Sequence, residues 1–578
     1  MTRPTPRAPL TAPGAPFTAL RAPFWQRLLL ELAPLLVVSA LALVVLARMA
    51  QSEWSAILLY SGDSLVLPLL HESLVAGEPF DWVFSSQLFF FPELVIYSAI
   101  ALFISDPRAV ILVNAVVNLL LFYAFARVIA RVALQRTRHR FIEISVSLGA
   151  IVLFVVICLL EPQPNINGSS VASLYLFNTY YQGVVIIGLA VLALTLWLTR
   201  AFRRARWGSV RTIVYAVVTA AVTAAVTLCD PLYLLQVTAP LALTLIVMWF
   251  ARHLTTRGVA LLLAVNVVSA LVGLWGRRFV EQHLAIALDK YMDIEKIPSS
   301  ITLLGTTLTE LSSTSVGMFK LLLWGGAVVV TTGFFLYALF AQTRPALRRT
   351  VSGGELFLTG FSTLSFLTMV LGFFVTGSQT TRYLLPIFVF PLLAMIPVVI
   401  HVLRLSMLVV PYAEYRRSLA RFMIGASSAV AVLIVAAGAV STPPVVRMAT
   451  GADYSGADCF ESAIGDREDS GVGSFWITRQ WELYADERGD VLQVEGDLTV
   501  MDWMINLSTY LDKDYSYVVV DPWGLVTEKS VEVLGTPASV TACGDFDIYD
   551  YEGTPGEQIL TDAVDRSAEE KLALHGME

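Results

Sequence analysis

Two charged residues far apart in the chain have the types and settings that could do chemistry. Asp63 sits in Ser-Gly-Asp-Ser, about fifteen residues past the first long apolar stretch, where a carboxylate could take a proton from a sugar hydroxyl as general base. Asp is also favoured as the N-cap of a following helix, and one residue can serve both ends. Arg382, in Gly377-Ser-Gln-Thr-Thr-Arg-Tyr-Leu-Leu-Pro386, stands directly before a helix start, with Tyr383 beside it as a further binding candidate. A guanidinium there can grip a phosphate through two bonds, and a helix N-terminus adds partial positive charge. The alternative is an interfacial anchor whose head reaches toward lipid headgroups.

Other ionisable groups are weaker candidates for binding substrate. His71 and Glu72 lie roughly two and a half turns beyond Asp63 on the same expected helix. Glu93 follows Pro92 at the edge of an apolar run, and each of these three alone also fits a hydrated or hydrogen-bonded surface group. Asp230, in Cys-Asp-Pro-Leu-Tyr233, falls at a helix end, where capping and a site role are evenly matched. No CxxC motif or Cys/His cluster suggests a metal site.

The elements that must position these residues are membrane helices. The chain has 578 residues, 56% of them hydrophobic and 15% charged, more apolar surface than a soluble protein of this size could cover. A bilayer core needs about 20 apolar residues per crossing, and about eleven such runs stand between the charge clusters. They are expected near 28–48, 109–127, 142–160, 181–199, 211–228, 235–250, 258–276, 320–341, 355–377, 384–403 and 422–440.

Lys and Arg are retained in the cytoplasm during insertion. Arg3, Arg7, Arg21 and Arg27, and the basic connections at 127–140, 200–211, 344–349 and 416–421, are therefore expected there. The connections at 161–180 and 229–234 have no Lys or Arg, and the loop 49–108 has only Arg108, which puts them outside. The connection 277–319 breaks the pattern, because it holds Arg277, Arg278, Lys290 and Lys296. An odd number of crossings from a cytoplasmic N-terminal segment, 1–27, leaves everything after 441 outside; no cleavable signal is evident.

The transmembrane part, 28–440, contains a first outer loop of about sixty residues, far above the roughly two to eight of a plain bundle. Residues 63–77 space their apolar positions as one face of an interfacial helix. The run 88–104 is interrupted by Pro92-Glu93 and reads as re-entrant, since a crossing there would turn the basic run 127–140 outward.

The C-terminal part, 441–578, is acidic and reads as a small α/β unit. Strands are expected at 491–495 and 515–521 and helices at 475–484 and 501–511; from Gly553 a mobile polar tail with a helix at 565–575 is expected. Of four cysteines, Cys459 and Cys543 bracket this unit and form a reasonable disulfide in an oxidising compartment, the alternative being two buried thiols.

Taken together, four short features resemble the C-type superfamily (GT-C) of membrane glycosyltransferases over roughly 25–440. They are the long first outer loop with an acid soon after helix one, the aromatic-Pro segment Phe89-Phe-Phe-Pro92, the basic run after helix two, and Arg382-Tyr-Leu-Leu-Pro386. The resemblance implies an inverting transferase that moves a sugar from a polyprenyl-phosphate carrier to a glycan or lipid-linked acceptor of the cell envelope. It implies Asp63 as the base and Arg382 as the holder of the lipid phosphate, with Arg277 and Arg278 as further phosphate contacts. Gly-Asp-Ser replaces the two adjacent acids of many members, so a divalent metal ion stays open as a cofactor. The segments around Gly473-Ser-Phe-Trp-Ile-Thr-Arg479 and Ala542-Cys-Gly-Asp-Phe-Asp-Ile-Tyr549 resemble a soluble domain of bacterial relatives without an established role.

Two other classes remain open. A lipid or polysaccharide flippase or transporter would also place a few charges among many helices, although no internal repeat is evident. A non-catalytic protein could bind cell-wall glycan through Trp476, Trp481, Trp503 and Trp523, although Trp in a small domain is more often core. No nucleic-acid partner is expected.

Overall fold

The computed structural model describes residues 24–133, 140–204, 206–285, 293–409, 413–452, 456–465, 467–484, 490–521 and 524–577. Arg3, Arg7, Arg21, Lys290 and Trp523 lie outside the described residues. Among the described residues ten helices are long and apolar enough to cross a bilayer, from Glu31–Met49 to Gly425–Ala449. They match ten of the eleven expected crossings. The eleventh, near 235–250, is the apolar segment Leu234–Phe250, shorter than the rest.

Strand pairing decides whether that segment crosses. In the first loop, β1 (Trp82–Val83) pairs antiparallel with β4 (Ile505–Asn506) of the C-terminal part. Both therefore lie on one membrane face, so the chain between them crosses an even number of times. One of the ten long helices precedes β1 and nine follow it. Leu234–Phe250 supplies the crossing that makes the number even, and its length sits at the lower limit of about 17 residues for a spanning helix.

The run 88–104 does not cross. It is a broken helical segment, Phe90–Leu94 and Val95–Ala101, with Leu88 N–H donating to the Cys229 carbonyl near one end and Ser98 hydroxyl against His71 near the other. The helix Ile297–Ser313 also stays on this face: Ser300 donates to the Ser378 carbonyl, and Glu310 meets Asn165. The connections carrying Arg203, His253 and Arg348 gather at the opposite ends of the helices.

The C-terminal part contains a five-stranded sheet in the order β3-β2-β5-β7-β6. Strands β2 (Ser470–Gly473), β3 (Val491–Gln493) and β5 (Tyr515–Val520) run parallel, while β7 (Asp547–Asp550) and β6 (Ser539–Ala542) complete it antiparallel. The helix Phe475–Tyr484 links β2 to β3, as the apolar spacing predicts. Every residue of β5 is buried, because both faces of the sheet are covered. Val518 and Val520 face Leu560, Val564 and Ala568, while Tyr517 and Val519 face Phe460 and Trp481. Cys459 and Cys543 form a disulfide with Cα atoms 5.6 Å apart, tying the helix Gly456–Ile464 to the end of β6.

Two sequence expectations are corrected here. The segment 501–511 is not a helix: Met504 adopts a positive φ of 55°, and β4 then passes into the turn Leu507–Tyr510. Asn506 is held by the first loop, accepting from Asp81 N–H and donating to the Pro79 carbonyl, so tertiary pairing overrides local spacing. The segment after Gly553 is not a loose tail with a helix at 565–575, but a helix over Pro555–His575. Leu560, Val564, Ala568 and Leu572 form its buried stripe, each Leu or Val contributing roughly 1.5–3 kcal/mol. His575 then pairs with Asp502 at 2.8 Å and meets the Gln282 carbonyl at 2.8 Å. Among the tryptophans, Trp481 is core, stacked on Phe460 at 4.3 Å, whereas Trp476 is 49% exposed.

Candidate active site

Asp63 lies in the first turn of the helix Gly62–Ala76, and its surroundings fix that turn from two sides. Thr179 hydroxyl donates to the Asp63 carbonyl at 2.7 Å, and Asn178 amide donates to the Ser64 carbonyl at 3.0 Å. On the other side Phe475 of the C-terminal part presses on Gly62, where a Cβ would stand 2.6 Å from the Phe475 carbonyl oxygen. Any side chain at 62 would push the two parts of the protein apart.

With its backbone held, Asp63 directs its carboxylate to Arg382, Oδ2 lying 3.2 Å from Nη1. The pair is largely sheltered, the side chains being 13% and 24% exposed. Ser61 is the N-cap residue, so the carboxylate is not used as the cap. Burial pushes the Asp63 carboxyl above its ordinary range, and the Arg382 guanidinium opposes that shift.

Arg382 stands in the helical turn Thr381–Leu384, just before the helix Pro386–Val409. Three tyrosines surround the pair. The guanidinium lies 5.9 Å from the Tyr180 ring centre, and the rings of Tyr181 and Tyr383 meet edge to face at 5.1 Å. Gln236 amide donates to the Tyr383 carbonyl at 2.7 Å, which fixes the turn. The buried Tyr180 hydroxyl is near Asp63 and Ser61 without a hydrogen bond of ordinary geometry, and Arg382 Nε is likewise unsatisfied. Such groups can bond a ligand at no cost of breaking an internal bond. Tyr181 holds a positive φ of 67°, a strained backbone for a bulky residue, directly before the helix Gln182–Arg203.

A second group adjoins the first through Tyr181, which feels both Arg382 and Asp230. Asp230 accepts from Gln87 amide at 2.5 Å and from Leu232 N–H at 2.9 Å, so it caps its turn while holding loop one. Glu93 is 5% exposed and lies against Gly183 in the first turn of the helix Gln182–Arg203. Burial, with repulsion from Asp230 added, pushes its carboxyl up to about 8; burial pushes Asp230 up to about 6.

The remaining sequence candidates sit elsewhere or work structurally. Arg277 is buried and donates to the carbonyls of Leu228 and Ser86, at 2.7 and 2.8 Å, while Arg278 is exposed. His71 bonds Ser98 at 3.0 Å, about 12 Å along the helix from Asp63, and Glu72 is exposed beside it. The geometry thus joins Asp63, Arg382 and Tyr383, places Glu93 and Asp230 beside them, and leaves His71, Glu72 and Arg278 out. Sequence reading missed Tyr180, Tyr181, Gln87 and Thr179. The one signal was the polar Asn-Thr-Tyr-Tyr-Gln run at the mouth of an apolar span.

Among the described residues no three His, Cys, Asp or Glu side chains gather as a metal-holding set. Asp63 is engaged by Arg382, and Glu93 and Asp230 are a pair without a third acid. Among the described residues the donor set as placed does not fit a divalent metal centre.

No protein-family model matches the chain, and no curated protein matches it. Two solved structures are similar to it. The apo oligosaccharyltransferase of Archaeoglobus fulgidus aligns at 13% identity over 86% of this chain and 70% of its own, with a TM-score of 0.44. The oligosaccharyltransferase AglB of Archaeoglobus fulgidus, in complex with an inhibitory peptide and a dolichol-phosphate, aligns at 13% identity over 86% of this chain and 69% of its own, with a TM-score of 0.37. Likeness of this degree establishes no relationship by itself.

Proposed function

We propose that the protein is an inverting glycosyltransferase that moves a sugar from a polyprenyl-phosphate carrier to an acceptor hydroxyl outside the cytoplasmic membrane. The observation that carries this reading is the sheltered Asp63–Arg382 pair at the mouth of a helical bundle, a base candidate and a phosphate-binding cation 3.2 Å apart. What supports an outer location for this face is that the connections carrying Arg203, Arg252 and Arg348 lie at the opposite ends of the helices, on the side where Lys and Arg are retained.

In the resting protein Arg382 partly offsets the burial of Asp63. A donor phosphate that draws the guanidinium away leaves the burial unopposed, and the carboxylate becomes a stronger base when substrate is present. The acceptor hydroxyl gives its proton to Asp63 as its oxygen attacks the anomeric carbon. The bond from that carbon to the phosphate oxygen breaks, and the departing phosphate keeps the electron pair. Arg382, already desolvated, stabilises the charge growing there. Attack opposite the leaving group inverts configuration. Tyr180, Tyr181 and Tyr383 supply flat apolar faces and hydroxyls to the sugar.

The test compares envelope glycans and polyprenyl-phospho-sugar pools by mass spectrometry in cells with wild-type protein, none, or Asp63→Asn at equal membrane levels. Loss of one sugar with accumulation of its donor lipid in both deficient strains is the expected result. Wild-type glycans in Asp63→Asn would remove the base assignment, and unchanged glycans in the deletion would remove the transferase reading.

A further inference from the structure

We propose that a cationic cavity at the membrane face opposite Asp63 binds a phosphate group. The helix Gln182–Arg203 starts beside the candidate active site and ends about 33 Å away at this cavity. The cavity measures about 220 Å³ and is lined by Phe202, Arg203, Arg252, His253, Leu254 and Thr255. Its lining holds two guanidinium groups and an imidazole but no carboxylate.

Three features distinguish it from a scatter of basic residues at helix ends. Among the described residues no acid pairs with Arg200, Arg203 or Arg252, and Nη1 of Arg200 is buried without a hydrogen bond. Glu355, in the first turn of the helix Gly353–Val375, is already engaged by Arg404, by His401 and by the Ser352 N–H. The helix Gly353–Val375 begins here with two glycines: a Cβ on Gly353 would lie 3.0 Å from Arg203 Nη1 and 3.2 Å from His253 Nδ1. The missing side chain lets the Arg203 guanidinium and the His253 imidazole approach a helix N-terminus where Ser352 caps the Glu355 N–H and the first two N–H groups have no partner within the helix. The Arg203 and Arg252 guanidinium groups, gathered beside a helix end whose one first-turn acid, Glu355, is already engaged, carry a cost that a bound anion removes.

Phosphate suits this set better than carboxylate, because its several oxygens can accept from two guanidinium groups at once. Arg203 and Arg252 are exposed on their outer sides, at the ends of apolar spans, so the group can arrive on a lipid or free in solution. The proposal is independent of the transfer reaction.

Binding is measured on the purified full chain in neutral detergent, titrated separately with dioctanoyl phosphatidylglycerol and with inorganic phosphate. Wild type is expected to bind at least one of these, and Arg203→Ala/Arg252→Ala to weaken that binding at least tenfold. Arg344→Ala, outside the cavity, is expected to change it less than twofold. Binding of the lipid only assigns a headgroup, and binding of inorganic phosphate too, with the same loss, assigns a free anion. If the double variant does not fold, Gly353→Ala crowds Arg203 and His253 while keeping the charges and is expected to weaken binding at least threefold. No binding by wild type, equal binding by the cavity variants, or an equal loss in Arg344→Ala would overturn the proposal.

Discussion

Arg382 Nη1 lies 3.2 Å from Asp63 Oδ2 although 319 residues of chain separate them, and both are sheltered from water. A pair of this kind can be a structural tie or a reactive couple, and the two roles part under substitution. Arg382→Gln leaves a sheltered carboxylate without its partner, so stability falls along with activity. Adding Asp63→Asn removes the stranded charge. The double variant is expected to recover most of the thermal stability while transfer stays at least ~100-fold down. Thermal unfolding in detergent beside a transfer assay checks this, and recovery of activity in the double variant would reduce the pair to a tie.

Gly62 is where the C-terminal part bears on the loop that carries Asp63. Gly62→Ala forces a methyl to within 2.6 Å of the Phe475 carbonyl oxygen, at a cost of about 1–3 kcal/mol. The expected outcome is faster proteolysis of the C-terminal part and a lower kcat with Asp63 and Arg382 both present. Unchanged proteolysis and kcat would show that this contact does not position the site.

Glu93 gives a pH dependence of definite sign. Its folded carboxyl titrates near 8 against an ordinary value of about 4.3, so the native state holds a proton the unfolded chain has lost. Stability from this group therefore falls as pH rises from about 4 to 8 and is level above that. Glu93→Gln is expected to raise Tm relative to wild type by an amount that grows between pH 5 and pH 8. A constant difference across that range would contradict it.

Topology can be read with single cysteines and a membrane-impermeant maleimide. Cysteines replacing Glu53 and Glu528 are expected to label from one side, and cysteines replacing Arg252 and Arg344 from the other. Labelling of positions 53 and 252 from the same side would mean that Leu234–Phe250 does not cross.

The crossings were legible in the sequence because lipid imposes a rule on every residue: a spanning segment satisfies its own backbone and presents apolar side chains over a fixed thickness. The two-sided distribution of Arg and Lys was legible for a similar reason. The helix Phe475–Tyr484 and strands β3 and β5 followed from short-range spacing. The helix expected at 501–511 failed because its decisive contacts, Asn506 with Asp81 and Pro79, come from more than four hundred residues away.

Composition and spacing alone therefore determined a polytopic membrane chain, the acidic C-terminal unit, and Asp63 and Arg382 as residues worth attention, since hydropathy and charge type are properties of each residue in place. Only the tertiary structure decided that these two meet, that Tyr180, Tyr181 and Tyr383 enclose them, and that His71, Glu72 and Arg278 stand aside. It also decided that β1 of the first loop pairs with β4 of the C-terminal part, the observation from which the crossing of Leu234–Phe250 is inferred. Such facts depend on which helix ends and loops converge on one face, and that convergence is fixed by long-range packing that local spacing does not encode.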